Sequence, residues 1–310
     1  MKLEGIHHIT AITGDAPRNV EFYVGTLGLR MVKKTVNQDV PTIYHLFYAD
    51  EKGSPGSDIT FFEYPGMERG RAGAGMVHRI VWRVGSHAAL SFWEERLRSL
   101  GIAVENTGDS VRFADPEGLG LEFRVVESTD EPLRAEHPGI PQEFALQGFD
   151  GARAFSADPE RSRGLLEQTL GFRSQGGTAF ESRGDQRGSL WEYDPTSTRG
   201  VQGAGTVHHI AWASTMEDHE RWRERVSEGG ASPTPIIDRF WFKSIYFREP
   251  SGVLFEIATL GPGFTADESI EHLGEKLTLP PDFEHLRSEL EAKLTPLPDV
   301  RELRSRTPTR

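Results

Sequence analysis

The chain repeats itself. The string "GAGMVHRIVW" (73–82) returns as "GAGTVHHIAW" (203–212), and "DPEGLGLEF" (115–123) returns as "EPSGVLFEI" (249–257), at offsets of 130 and 134 positions between "VHRIVW" and "VHHIAW" and between the second pair. A second family of matches is displaced by 143 positions: "LEGIHHITAI" (3–12) has a weak echo in "LQGFDGARAF" (146–155), and "TLGLR" (26–30) a strong one in "TLGFR" (169–173). Two kinds of unit, each used twice, account for both offsets. Repetition constrains the fold more than any single motif, because every copy has to form the same supersecondary unit.

All four units share a layout: a short strand, a helix that stops at glycine, then further strands. In unit one Asp15 and Pro17 suit a helix start, Val20, Tyr23, Val24 and Leu27 give one apolar face, and Gly28 ends it. In unit two Ser86 opens a helix whose Leu90, Trp93, Leu97 and Leu100 face the core before Gly101. Unit three runs from Asp158-Pro159 through Leu166 and Leu170 to Gly171, and unit four from a capping box, Ser214-x-x-Glu217, through Trp222 and Val226 to Gly229-Gly230. Runs such as "TIYHLFYAD" (42–50) and "SDITFFEY" (57–64) read as antiparallel strands between Gly/Pro turns. The expected architecture is α+β, four βαβββ modules, divided along the chain into module pairs at 1–140 and 141–262 and a helical tail at 263–310. In that tail Pro280-Pro281-Asp282 introduces an amphipathic helix with Phe283, Leu286, Leu290 and Leu294 on one face, expected to pack on the modules or on a partner subunit rather than to act as a lid. The final "RELRSRTPTR" reads as frayed.

Composition narrows the partners. A net charge of −12 argues against a phosphate-binding surface and so against nucleic acid. No cysteine is present, which removes disulfides, thiolate metal sites and cysteine nucleophiles. Neither a signal-peptide core nor an apolar run of about 18 residues occurs, so no membrane span is expected and the cytoplasm is the default compartment. A small-molecule partner fits best, with homo-oligomerisation left open.

The copies act as internal controls on each other. His78 and His208 are equivalent, which favours a role shared with the strand, whereas His209 stands where unit two has Arg79. Adjacent strand residues face opposite ways, so His208 and His209 do not both line one surface, and His209 is the candidate ligand. In unit one His7 and His8 stand against Asp150 and Gly151 of unit three; the strand pattern alone does not choose between the two histidines. Glu256 lies in the apolar "GVLFEIAT", where a carboxylate is costly unless paired or metal-bound; its bland reading is an ion pair with Arg239 or Lys243. Its copy Glu122 has Arg79 and Arg124 at hand. Two histidines and one glutamate from strand interiors would supply the facial set that leaves positions open on Fe(II).

With "HHITAI", "YHLFYADEKGSPG", "VHHIAW", "YFREPSGVLFEIAT" and "GFTADE" in view, the whole chain resembles the vicinal oxygen chelate superfamily, and within it ring-cleaving dioxygenases of the hydroquinone-cleaving type. The resemblance implies paired modules forming two half-open barrels, with modules one and four meeting at a metal and modules two and three forming a metal-free partner. It implies the ligands His8, His209 and Glu256, holding one Fe(II) per chain, with Mn(II) as a substitute. It implies an extradiol-type cleavage of a hydroquinone or catechol-like diol by O2, the metal serving as Lewis acid and template. Tyr246 and Arg239 match positions for proton transfer and charge stabilisation, and His208, His7 and Thr10 match supporting positions. The commoner two-domain extradiol enzymes take their first ligand from the third module, where this chain has Gly151. Two rivals share the modules: a glyoxalase-like isomerase or transferase, which commonly uses a second glutamate, and a small-molecule-sequestering protein without a metal site.

Overall fold

In a computed structural model that describes residues 1–305, sixteen strands and four crossover helices build the body of the molecule. Module one comprises β1 (Ile6–Thr13), α1 (Ala16–Val20), β2 (Arg30–Val36), β3 (Tyr44–Ala49) and β4 (Asp58–Glu63). Module two comprises β5 (Met76–Val84), α2 (His87–Ser99), β6 (Glu105–Asn106), β7 (Ser110–Ala114) and β8 (Gly120–Val125). Module three has β9 (Phe149–Ser156), α3 (Glu160–Gly164), β10 (Arg173–Gly176), β11 (Ala179–Arg183) and β12 (Gly188–Pro195). Module four has β13 (Val207–Ser214), α4 (His219–Glu228), β14 (Ile237–Asp238), β15 (Lys243–Arg248) and β16 (Leu254–Thr259). The βαβββ pattern is present four times.

The strands form two eight-stranded sheets, ordered β14-β15-β16-β13-β1-β4-β3-β2 and β10-β11-β12-β9-β5-β8-β7-β6. Module one therefore joins module four, and module two joins module three. A cut at 140/141 separates module pairs along the chain, while hydrogen bonding pairs them across that cut. Hairpin neighbours are antiparallel as expected, but the first and last strands of each module are parallel, as in β1–β4 and β13–β16. A parallel closing pair requires a long return connection, which the intervening helix and strands supply.

Helix starts follow the local chemistry in modules one and two, where Asp15 accepts from the Arg18 amide at 3.1 Å and Ser86 from the Ala89 amide at 3.1 Å. In modules one and three the helix loosens into a π-helical turn, Leu27 N donating to Phe22 O and Leu170 N to Leu165 O, before glycines at φ 71° and 75° end it. Two local expectations are corrected. Ser214 does not open α4: it ends β13, its hydroxyl lies 3.1 Å from His219 Nδ1, and the helix starts five residues later. Leu100 caps α2 and is 47% exposed, because the helix has already turned its core face away.

The strands' helix-facing residues, among them Trp82 and Trp212 of the repeated motif, join Trp93, Trp191 and Trp222 in the main core. Inside the first sheet, which curls as a half-open barrel, a second apolar cluster gathers Val32, Phe47, Ala49, Ala211, Trp241, Phe242 and Phe264. Phe264 comes from the "GFTADE" segment, whose Asp267 (2.9 Å) and Glu268 flank the fully buried ammonium of Lys33. A charge at that depth needs such partners, so the segment seals the barrel both by packing and by neutralisation. The tail helix is split into a 3₁₀ stretch, Pro281–Leu286, and α5 (Arg287–Lys293), with Leu290 and Leu294 buried in the main core, so it packs on the body of the molecule. The expectation of a frayed end is corrected for Arg301–Ser305, which belong to the helix α6 (Val300–Ser305); residues 306–310 lie outside the described part. Among the described residues no helix is long and apolar enough to cross a membrane.

Gly151 shows why module three carries no counterpart of His8. A Cβ there would stand 2.3 Å from the carbonyl oxygen of Leu190, its parallel neighbour, and 2.9 Å from that residue's carbonyl carbon. Gly151→Ala is expected to destabilise the protein by about 1–3 kcal/mol, read as a lowered urea midpoint. Gly164→Ala, inside α3 with open space around it, should not lower that midpoint.

Candidate metal centre

β1 and β13 pair antiparallel, His8 opposite Ala211 and Thr10 opposite His209, with a register shift between Ile6 and His8. β13 and β16 pair parallel, Ala211 opposite Glu256, and β15 sets Tyr246 opposite Glu256. His8, Ala211, Glu256 and Tyr246 thus form one row across the sheet. The alanine methyl leaves a hollow in that row, and His209 enters it from two residues along β13.

In the hollow His8 Nε2 lies 3.3 Å from His209 Nε2 and 3.2 Å from Glu256 Oε2, and His209 Nε2 lies 2.9 Å from the same oxygen. All three residues are buried. Neither Glu256 oxygen accepts a well-formed hydrogen bond, and the carboxylate's only ion-pair partners among the described residues are these two histidines. Arg239 and Lys243 do not pair with it: Arg239 is engaged by Asp39. Burial pulls the Glu256 carboxyl upward, but the facing imidazoles override it and hold the group well below the usual carboxylate range.

The preceding histidines orient the rings. His7 Nε2 is 3.1 Å from the carbonyl oxygen of Thr259, so that nitrogen carries the proton, and burial beside His8 lowers the His7 pKa to about 3 and keeps the ring neutral. Its Nδ1, 2.9 Å from His8 Nδ1, must then accept, which leaves the proton on His8 Nδ1 and a lone pair on His8 Nε2 facing the hollow. On module four His208 Nδ1 stands 2.8 Å from His209 Nδ1, with His208 itself exposed to solvent. Three donor atoms, one of them a buried carboxylate, converge at spacings of 2.9–3.3 Å. Ligands about 2.1 Å from an octahedral ion are separated by about 3.0 Å along an edge, so the trio fits three adjacent corners of one cation. It is also the one cluster of this kind among the described residues.

The trio's two histidines open on a cleft. His8, His209, Arg239 and Tyr246 line it together with Phe47, Phe62, Trp241 and Phe242. Its aromatic walls suit contact with a planar ring. Arg239 Nε donates to Tyr246 Oη at 3.3 Å while its two terminal nitrogens grip Asp39 at 3.0 and 2.9 Å. Burial, then Glu256, push the Tyr246 phenol well above its ordinary pKa, Arg239 opposing them, so it is protonated at neutral pH. The candidates His7, Thr10 and His208 do not line the cavity. His7 and His208 reach it through the ligand histidines, and Thr10 bonds Thr60 at 2.7 Å. Sequence reasoning did not single out His45, Asn37, Gln38 or Asp39, which also line it. The signal for His45 was present: a lone polar residue alternating with Phe47 on β3.

The sequence profile of the Glyoxalase/Bleomycin resistance protein/Dioxygenase superfamily matches residues 5–123 and 148–257. The chain belongs to that superfamily. Within the superfamily it is 42% identical to the Bacillus subtilis (strain 168) protein named "Putative ring-cleaving dioxygenase MhqO", over 97% of this chain and 99% of that one. It is 32% identical to the chlorohydroquinone/hydroquinone 1,2-dioxygenase of Sphingobium indicum, over 93% of this chain and 95% of that one. The crystal structure of a Bacillus subtilis protein described as a "putative dioxygenase" superposes with a TM-score of 0.89 at 40% identity, covering 96% of this chain and 98% of the other. Glyoxalase I from Zea mays, at 15% identity and a TM-score of 0.58 over 83% of this chain and 92% of its own, shares the fold. Similarity along the whole chain to proteins of those names makes this superfamily member an enzyme of the oxygenase class.

Removing the carbonyl-anchored imidazole should loosen the ligand it orients. His7→Leu is expected to weaken divalent-cation binding about 10- to 100-fold in a chelator-competition titration, with Glu256→Gln weakening it further.

Proposed function

We propose that the protein is an Fe(II)-dependent ring-cleaving dioxygenase of the extradiol type, acting in the cytoplasm on a small hydroquinone or catechol-like diol with O2. The observation that carries this reading is the lone-pair trio of His8, His209 and Glu256, whose two histidines line an aromatic-walled cleft. The relatives named as ring-cleaving and hydroquinone dioxygenases support it. A glyoxalase-like chemistry commonly uses a second glutamate, and among the described residues none joins the trio.

Bound by the trio, Fe(II) supplies a Lewis-acid, redox-active centre with open coordination positions. The chain does the rest. Phe47, Phe62, Trp241 and Phe242 hold the ring and exclude water. Tyr246, receiving the Arg239 Nε–H at its oxygen, keeps its own proton for the substrate oxygen beside the trio and can take one back as charge develops there. Arg239 stabilises that charge through Tyr246, held in place by Asp39.

One metal per chain is expected, because the second barrel fills the equivalent place with guanidinium groups: Glu122 lies 3.0 Å from Arg112, 3.1 Å from Arg124 and 3.5 Å from Arg79. Metal analysis of the loaded protein should give one equivalent, and two would contradict the assignment. Anaerobic loading with Fe(II), addition of hydroquinone or catechol and admission of oxygen should give O2 uptake with a ring-opened product. No uptake with any dihydroxybenzene, despite bound iron, defeats the reading. Tyr246→Phe should lower kcat about 10²- to 10⁴-fold with iron content unchanged, and unaltered turnover refutes the proton-transfer role.

A further inference from the structure

A line of hydrogen bonds in module one runs beside the trio, and the chemistry assigned to Tyr246 and Arg239 leaves it unused. Thr10 Oγ1 and Thr60 Oγ1 stand 2.7 Å apart across the β1–β4 pair, and His45 Nε2 lies 2.9 Å from Thr60 Oγ1. Both threonines are fully buried. The His45 ring is clamped between Phe47 and Phe62, with ring centroids 4.0 and 4.4 Å away, so packing fixes its orientation. Its other nitrogen, Nδ1, has no partner among the described residues and is not sealed in the core, and the residue lines the cavity shared with His8 and His209.

The cavity's other polar side chains away from the trio are tied to its rim, Asn37 and Gln38 through one end of the amide each. Asn37 Oδ1 accepts from the Asp39 and Val40 amides, Gln38 Nε2 donates to the Arg239 carbonyl, and Asp39 grips the Arg239 guanidinium. His45 is set apart by its wall position: packing between two phenylalanines fixes its ring, one nitrogen is anchored, and the other is left free in a residue that lines the cavity. We infer that His45 hydrogen-bonds the substrate oxygen that is not held beside the trio, so that the protein selects dihydroxybenzenes over monophenols. This inference rests on the ring-cleaving reading above.

The threonine pair gives the station both polarities. When the Thr60 hydroxyl donates to Nε2, the proton sits on Nδ1 and His45 donates to the ligand oxygen. When Nε2–H donates to Thr60 and Thr60 turns its own proton to Thr10, Nδ1 accepts from a ligand hydroxyl. The remote oxygen is therefore held whether or not it carries a proton. A phenol lacking that oxygen would leave Nδ1 unpaired beside apolar walls, which is the source of discrimination.

The test compares hydroquinone with 4-methylphenol, a ring of similar size without the second oxygen, by calorimetric titration of the Fe(II)-loaded protein without oxygen. The wild type should bind hydroquinone about 5- to 15-fold more tightly, the worth of one net hydrogen bond. His45→Phe should bind the two alike, with 4-methylphenol affinity retained. A preference for hydroquinone that survives in His45→Phe overturns the inference. Should that variant not fold, Thr60→Val removes the anchor of Nε2 at constant size and should cut the preference at least about 3-fold, an unchanged preference again overturning it. A wild type that turns over hydroquinone yet binds both phenols equally defeats this inference alone, whereas a wild type that binds neither defeats the ring-cleaving reading and this inference together.

Discussion

Everything at the candidate metal centre depends on the antiparallel seam between β1 and β13. Those strands belong to the first and last modules, and their pairing brings His8 and His209, 201 positions apart, to 3.3 Å. The parallel pairing of β13 with β16 then places Glu256 in the same row as His8, with only the Ala211 methyl between. Closing so long a loop costs little more than closing a short one, since the entropy grows with the logarithm of length. The cost lies instead in burying a carboxylate and three histidine rings in one sheet, and the geometry meets it with mutual contacts: Thr259 holds His7, His7 holds His8, and the exposed His208 touches His209.

The two barrels handle the same buried glutamate by different chemistry. In the first, Glu256 faces two imidazole nitrogens and a hollow left by Ala211. In the second, the equivalent row runs Gly151, Val81, Glu122, Arg112: the alanine has become valine, the tyrosine arginine, and the histidine a glycine with no room for a side chain. Glu122 is surrounded by guanidinium groups, and burial's upward pull on its carboxyl is overcome by Arg124 and Arg112, leaving it below its ordinary pKa. Arg124 also reaches Asp150 at 3.2 Å, and Arg153 pairs with Asp194, which His78 also contacts at 2.7 Å. A network of fixed charges thus occupies the place that the first barrel keeps for a cation. The duplicated fold is stabilised twice, and only one copy is left open to chemistry.

Repetition made the modules legible, because each copy must satisfy the same local rules: Asp15 and Ser86 cap their helices, Gly28 and Gly171 end them, and β3 and β4 pair antiparallel as their hairpin pattern requires. Comparison of copies isolated His209 against Arg79 and Glu256 against Glu122 without any knowledge of which strands are neighbours. Local rules failed where a tertiary partner outbid them: Ser214 matches a capping box, yet β13 continues through it, since pairing with β16 extends to Ser214 opposite Thr259. His45 escaped notice because strand alternation gives a residue's face but not what lies across the barrel.

The sequence by itself determined the module, its fourfold use, and the residue types able to bind a cation, since all of these follow from periodicity and from differences between copies. Only the tertiary structure decided which histidine of the module-one pair faces the hollow, that Arg239 is tied to Asp39 rather than to Glu256, and that His45 shares a cavity with the trio. Side-chain direction at His8 depends on a register shift in β1, and the partners of Arg239 lie 200 positions away. Both are set by how distant strands meet, which no local pattern encodes.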